Sequence, residues 1–381
     1  MPVSILYQYH VDIQFNTINM LLDIDDFESR FIKPACLAVG NRIDSDGAYF
    51  AMQNTANRVG TPGSTPTAFK NFSDARALLI SEGMPKGMIP TAVLHPFASS
   101  SMADSLKGLF NPQAKISELY EEGMIAAKTA GADWFEDPNI ANYSTGTLTG
   151  TPVLAGVTTA TAGSALLTSG WAQSGVLNLS GLTNTAAQCQ VGDTIQIAGL
   201  YPVNPQNRGR YGNTLKQFVV LPPGGYAQMS GAAAPGGPAF APATLTAGTF
   251  NAATGLYTSS GSGTLSVTVA ECAITGGQFQ NCAATSAFTG TPAVTINGGA
   301  ASGTSSTENL YFHRDAFALA FVDLPLPRSA VEASRAFDED LGLSIRVVTQ
   351  YTINNDAEPT RMDVAYGFSS LYRSLGVRVS G

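Results

Sequence analysis

From Val11 the chain alternates, with apolar Val11, Ile13 and Phe15 set between polar Asp12, Gln14 and Asn16. That period of two is the mark of a strand with one wet face. After Leu21 and Leu22 the period changes. Phe27, Phe31, Ile32, Ala35, Ala38, Val39 and Ile43 recur at three- and four-residue steps, which is helical spacing. Asp23, Asp25, Asp26 and Glu28 stand at its start, where the positive end of a helix favours carboxylates. The pattern predicts a strand within 1–22 and a helix over 23–57, about 50 Å long at ~1.5 Å per residue. Pro34 falls inside that helix. An interior proline costs about 3 kcal/mol, so either the helix bends there or a longer one begins near Ala35.

Residues 58–71 are turn-rich. FSDARALLISEG (72–83) predicts a short helix capped by Ser73 and stopped by Gly83. MIPTAVLHP predicts a buried strand ending at Pro96, and ASSSMADSLKGLF (98–110) another helix. The next stretch reads as helical in its middle and extended at its end, with Trp134 and Phe135 as core candidates. Alternating elements over 72–138 suggest an α/β or α+β unit.

From Asn139 to Thr307 the only charged residues are Asp193, Arg208, Arg210, Lys216 and Glu271. Short β-patterns at 176–182, 193–203, 215–221 and 265–274 predict an all-β insert, a small barrel or sandwich with long loops. Residues 227–263, poor in large apolar side chains, read as loop rather than core. ENLYFHRDAFALAFVDLPLP (308–327) reads as strand, broken at Pro325 and Pro327. A long hairpin follows. Leu343, Ile345, Val347, Thr349, Tyr351 and Ile353 alternate outward, NNDAEP turns, and Met362, Val364, Tyr366 and Phe368 alternate back.

Composition sharpens this picture. The 381 residues are 44% hydrophobic and only 13% charged, about half the usual charged share. Such a chain buries its β-structure on more than one side or covers it with other subunits. A net charge of −8 and no basic run make specific nucleic-acid binding a poor expectation. No stretch approaches the ~18–20 apolar residues of a membrane span, and MPVSILYQYHVD lacks the features of a signal peptide.

Candidate chemistry is sparse. Cys36, Cys189, Cys272 and Cys282 form no CxxC pair, which argues against zinc and redox motifs. Cys272 and Cys282 could close a small loop, though four reduced thiols are the simpler expectation. His10, His95 and His313 are isolated, and Asp133, Glu136 and Asp137 crowd one turn, as in a solvated loop. DIDDFESR lacks the glycine and glutamate of a calcium loop. No nucleophile elbow, phosphate loop or dinucleotide fingerprint occurs. No catalytic, cofactor-binding or metal residue is assigned, and the chain is not expected to be an enzyme.

Several segments, taken in order, resemble the major capsid proteins of tailed bacteriophages, in the podophage coat branch that carries an inserted β-domain. They are VDIQFNTINMLLDIDDFESRFIKPACLAVGNRID, TAVLHPFASSSMADSLKGLFNP, GADWFEDPNI, VGDTIQIAGLYPVNPQNR with LKQFVV, LYFHRDAFALAFVDLPLP, and LSIRVVTQYTINNDAEPTRMDVAYGF. The resemblance implies an α+β Johnson fold with a long spine helix, peripheral and axial domains, and an inserted all-β domain. On that pattern 1–22 is part of the extended loop, 23–71 the spine helix and loop of the peripheral domain, and 72–138 the axial domain. Residues 139–307 are then the inserted domain, 308–340 the axial return, and 341–381 the peripheral β-sheet. The family also has an N-terminal arm ahead of the Val11 equivalent. Met1 stands ten residues upstream, so that arm is expected to be absent, truncated, supplied by another chain or replaced.

The same resemblance implies self-assembly into an icosahedral head around packaged double-stranded DNA. The partners are many copies of the chain, a scaffolding protein and a portal, with a decoration protein left open, no membrane, and DNA enclosed without sequence-specific grip. It places the protein in the virion capsid, assembled in the host cytoplasm. Val11, Ile13 and Phe15 are the candidate intersubunit strand and Pro34 the candidate spine hinge. Rival readings are an encapsulin-like nanocompartment shell and a secreted β-rich adhesin or carbohydrate-binding protein.

Overall fold

Two segments some 350 residues apart in the chain pair antiparallel, with Tyr7 opposite Tyr366 and Asn16 opposite Ala357. This computed structural model describes residues 5, 7–16, 33–85, 87–106, 131–156, 164–223, 245–296, 303–338, 343–354 and 357–381. Among them the chain is mostly β, with three α-helices. They divide into two units. One holds the described residues up to Gly47 and from Ala318 to Ser369; the other holds those from Ala48 to Phe317 and from Ser370 to Gly381.

In the first unit the long strand Ala357–Ser370 is central. Tyr7–Asn16 flanks it on one side and Leu343–Thr349 on the other, with Glu332–Asp338 outermost beyond that. Phe317–Phe321 also pairs with the long strand. The alternation in the sequence reappears in the burial. Tyr7 is buried and Tyr9, Val11 and Ile13 are half-buried, while Gln8, His10, Asp12 and Gln14 are exposed. The inner face packs on the helix Lys33–Asn54. Ala35, Val39 and Ile43 form its buried stripe, the Cys36 sulfur lies 4.0 Å from that of Met362, and Gly47 abuts the Phe368 ring. Ala38, expected on this stripe, is exposed, because it lies a full ~100° around the helix from Val39. Pro34 is the second residue of the described helix. The acidic opening 23–28, and any bend there, lie outside the described residues.

The second unit is built around a five-stranded sheet in the order Asn57–Val59, Gly376–Val379, Asn309–Phe312, Thr91–Leu94, Asp133–Glu136. Phe72, Ala75 and Leu79 of the helix Phe69–Ser81, and Met102 of the helix Pro96–Leu106, join Leu94, Tyr311, Val377 and Val379 in one core. Ser73 is not the cap. The helix starts earlier, after Ala68, with no side-chain cap, because Phe69 and Phe72 both pack on Trp134 and extend the helix by tertiary contact. Gly83 does stop it, at φ +93°, and the Met84 N–H returns to the Leu79 carbonyl. Trp134 packs against the core, but Phe135 is 57% exposed, since alternation on its strand turns it to the other face. Asp133 and Glu136 belong to a strand rather than a loop.

Each β-pattern read in 139–307 contains strand, but 193–203 turns at Ala198–Gly199 and 265–274 is interrupted after Ala270. Val294–Ile296, Thr194–Ile197, Gln217–Leu221, Leu265–Ala270, Ser174–Leu182 and Gly150–Leu154 form a six-stranded sheet in that order. All six residues of Leu265–Ala270 are buried, so this central strand is covered on both faces, in keeping with the low charge content. Residues 249–251 and 256–258 correct the expectation of loop. They form a small sheet with Ala187–Gln190, and Tyr257 is fully buried, its hydroxyl donating to the Leu221 carbonyl at 2.6 Å. Polar neighbours masked that single aromatic anchor. In 308–327 the break falls at the His313–Ala316 turn, before the two prolines.

Candidate assembly surface

The first unit presents an unfilled strand edge. Tyr7–Asn16 pairs with the long strand on one side, and among the described residues no other strand pairs with it. Val11 faces Met362, Ile13 faces Thr360 and Phe15 faces Glu358. In an antiparallel pair, alternate residues aim both N–H and C=O away from the partner, so this edge offers regularly spaced donors and acceptors to a further strand. Glu332–Asp338 is the opposite edge, and Phe337 on it is 61% exposed.

The inner face is fixed by a few polar anchors set into apolar packing. Asp46, 4% exposed, accepts hydrogen bonds from Tyr366 Oη at 2.7 Å and Arg42 Nε at 3.2 Å. Burial and the Asp46 carboxylate push the Tyr366 phenol far up, so it stays a donor. Tyr7 stacks on Tyr366 with ring centroids 5.2 Å apart, and Arg42 lies over the Tyr9 ring.

The outer face carries a row of charges across the strands. His10, Asp363, Arg346 and Arg335 are successive register neighbours. Arg346 Nε and Arg361 Nε donate to Asp363 at 3.2 and 2.6 Å. Arg335 donates to Asp323 at 3.1 Å, and Arg346 to the Pro325 carbonyl at 2.6 Å. Burial raises the Asp363 carboxyl, but the hydrogen bonds and charges of Arg346 and Arg361 outweigh it and hold it below 3.8.

Elsewhere the polar clusters are structural. The Lys216 ammonium is buried and pairs with Glu82 at 3.1 Å, and Tyr211 donates to the same carboxylate. Burial and Glu82 push the Tyr211 phenol well up, so it stays a donor to that carboxylate. Asp193, fully buried, accepts from the Tyr143 hydroxyl at 2.9 Å and the amides of Gly146 and Gln190 at 3.0 and 2.7 Å. Sequence reasoning missed both anchors. Their signal was charge in a nearly charge-free stretch, which a buried β-domain tolerates only when paired. The cysteines are free. Burial pushes the Cys272 thiol to about 11 and the Cys282 thiol to about 12, so both are protonated and inert at neutral pH. Glu136 accepts from Ser99 and Asp137 from the Asn139 amide, which are local contacts. His313 is fully buried, its Nδ1 accepting from the Asp315 amide at 3.2 Å. Among the described residues no cluster of three His, Cys, Asp or Glu side chains suits a metal, and no helix is long and apolar enough to cross a membrane.

Residues 8–229 match the family model described as P22 coat protein, gene protein 5. The chain belongs to the P22 coat protein family. It is a bacteriophage capsid protein, with a structural role. No curated protein matches the sequence. Solved structures similar to this coat protein include a chain of Mycobacterium phage Che8, at 10% identity and TM-score 0.40, covering 98% of this chain and 70% of that one. Another is the cyanophage P-SCSP1u capsid, at 8% identity and TM-score 0.38, covering 99% and 73%. The family match takes in the exposed strand edge, the first helix and much of the β-rich insert of the coat protein.

Proposed function

We propose that this coat protein self-assembles into the icosahedral head that encloses packaged double-stranded phage DNA. The family match over residues 8–229 carries the reading, and the open edge of Tyr7–Asn16 supports it by offering a neighbour somewhere to add a strand. Weak contacts repeated over many copies make a stable shell by avidity. The finer architecture is a Johnson fold. In it 23–71, which contains the helix Lys33–Asn54, and the sheet of 341–381 form the peripheral domain, 72–138 with 308–340 the axial domain, and 139–307 the inserted domain. A scaffolding protein and a portal would take part, and Pro34, at the start of the described helix, would be the hinge during expansion of the shell. With a net charge of −8 the wall would enclose DNA without gripping it. The protein would assemble in the host cytoplasm and reside in the virion.

Electron microscopy of the purified protein tests the reading: closed shells support it, and monomers under all conditions reject it. Long nuclease-protected DNA in shells from infected cells distinguishes a phage head from an empty nanocompartment. A proline scan through Tyr9–Ile13 tests the edge. At alternate positions proline removes a bond to the long strand and destabilises the subunit; at the others it removes only an outward donor. Shell formation should fail at the outward positions while the subunit stays folded. Normal shells from every folded variant would exclude the edge. Pro34→Ala should alter the rate of shell expansion, and an unchanged rate would remove the hinge.

A further inference from the structure

In the second unit two buried arginines stand side by side on neighbouring strands. Arg58 on Asn57–Val59 and Arg378 on Gly376–Val379 are direct register partners in a parallel pair. The side chain of Arg58 is 2% exposed and Arg378 is wholly buried. Like charges directly opposite on neighbouring strands repel, and burial strengthens that repulsion. One carboxylate meets them: Glu308, fully buried, lies 2.9 Å from Arg58 Nη2, while its other oxygen accepts from Ser306 Oγ at 2.6 Å. Asp193 acts on Arg378 only at range, and its oxygens already take the donors of Tyr143, Gly146 and Gln190.

Donors are left over. Arg58 Nε and Nη1 and Arg378 Nε and Nη2 are buried with no hydrogen-bond partner among the described residues, and so is Ser380 Oγ two residues along. The Arg378 Nη1 group meets only the Met52 sulfur, at 3.7 Å. Buried donors are almost always satisfied, and an unsatisfied guanidinium is among the most costly groups to leave so. Burial, and then Arg58, pull the Arg378 guanidinium down to about 10, in keeping with a local excess of positive charge.

We propose that a small monovalent inorganic anion of the chloride kind is held between the guanidiniums of Arg58 and Arg378. It accepts the orphaned N–H groups and neutralises the charge that Glu308 leaves over. Water would satisfy the donors without cancelling the repulsion, which is why the anion is favoured. The site lies within one subunit and does not depend on shell assembly.

Thermal unfolding of the unassembled protein tests it. Ionic strength is held constant by exchanging sodium gluconate, too large to be buried, for sodium chloride from about 1 to about 100 mM. Binding to the folded state alone raises the midpoint, and the rise grows with the logarithm of chloride concentration above the dissociation constant. Several degrees of chloride-dependent rise are expected for the natural protein and none for Arg378→Met. Should that variant fail to fold, crystals of the natural protein grown in sodium bromide give a second readout, an anomalous peak between the two guanidiniums. Superimposed chloride and gluconate curves, or no bromide peak, would overturn the site and leave water as the filler.

Discussion

The two units of this coat protein treat charge in opposite ways. The first spreads it over an open face, where His10, Asp12, Arg335 and Arg361 are exposed and Asp363 is shared between Arg346 and Arg361. The second is nearly free of charge along 139–307, yet Lys216 with Glu82 and Arg58 with Glu308 are buried ion pairs, and buried Asp193 is held by hydrogen bonds. Exposed pairs are individually weak and replaceable. Buried pairs are hazardous to break, because removing one partner strands the other in a low dielectric. So the first unit can vary its exposed charges to suit a neighbour, whereas the buried pairs of the second act as fixed pins.

The contrast breaks most sharply at Glu308. Glu308→Gln leaves both buried arginines without a carboxylate and should cost about 3–5 kcal/mol in denaturant unfolding; a loss below about 1 kcal/mol would mean the pair is not the pin described. Next comes Tyr366→Phe, which strips a donor from buried Asp46 and should cost about 1–3 kcal/mol while leaving the second unit's resistance to proteolysis unchanged. Acid gives a weaker effect confined to the first unit. The Asp363 carboxyl is held below 3.8 in the fold, so its contribution is present above that pH and is lost as pH falls below it. Asp363→Asn should flatten this acid limb in a stability–pH profile; an unaltered limb would assign it to other carboxylates. Smallest is Arg335→Ala at the outer strand, expected within about 1 kcal/mol by the same unfolding assay.

How much the sequence showed depended on the range of the interaction. Alternation at Val11 and Ile13 and the stripe of Ala35, Val39 and Ile43 are local periodicities, and both survive in the burial pattern. Gly83 stops its helix by its own conformation. Ser73 misled because Phe69 reaches Trp134, a contact no local rule contains. Tyr257 was hidden because one aromatic in a polar stretch carries no period. The strand edge could be suspected from residues 11–16, but not its inner partner, the long strand that begins at Ala357. Nor does any spacing rule join Arg58 to Arg378.

Gly376–Val379 lies between Asn57–Val59 and Asn309–Phe312 in the second unit's sheet. A ribosome adding ~5–20 residues per second takes about 16–64 s to travel from the first of these strands to the inserted one. Once Asn309–Phe312 has been made, the sheet has a slot between two bare rims until Gly376–Val379 follows. This sheet closes in a single step, when Gly376–Val379 enters the slot, and until then it has nothing complete to offer a neighbour.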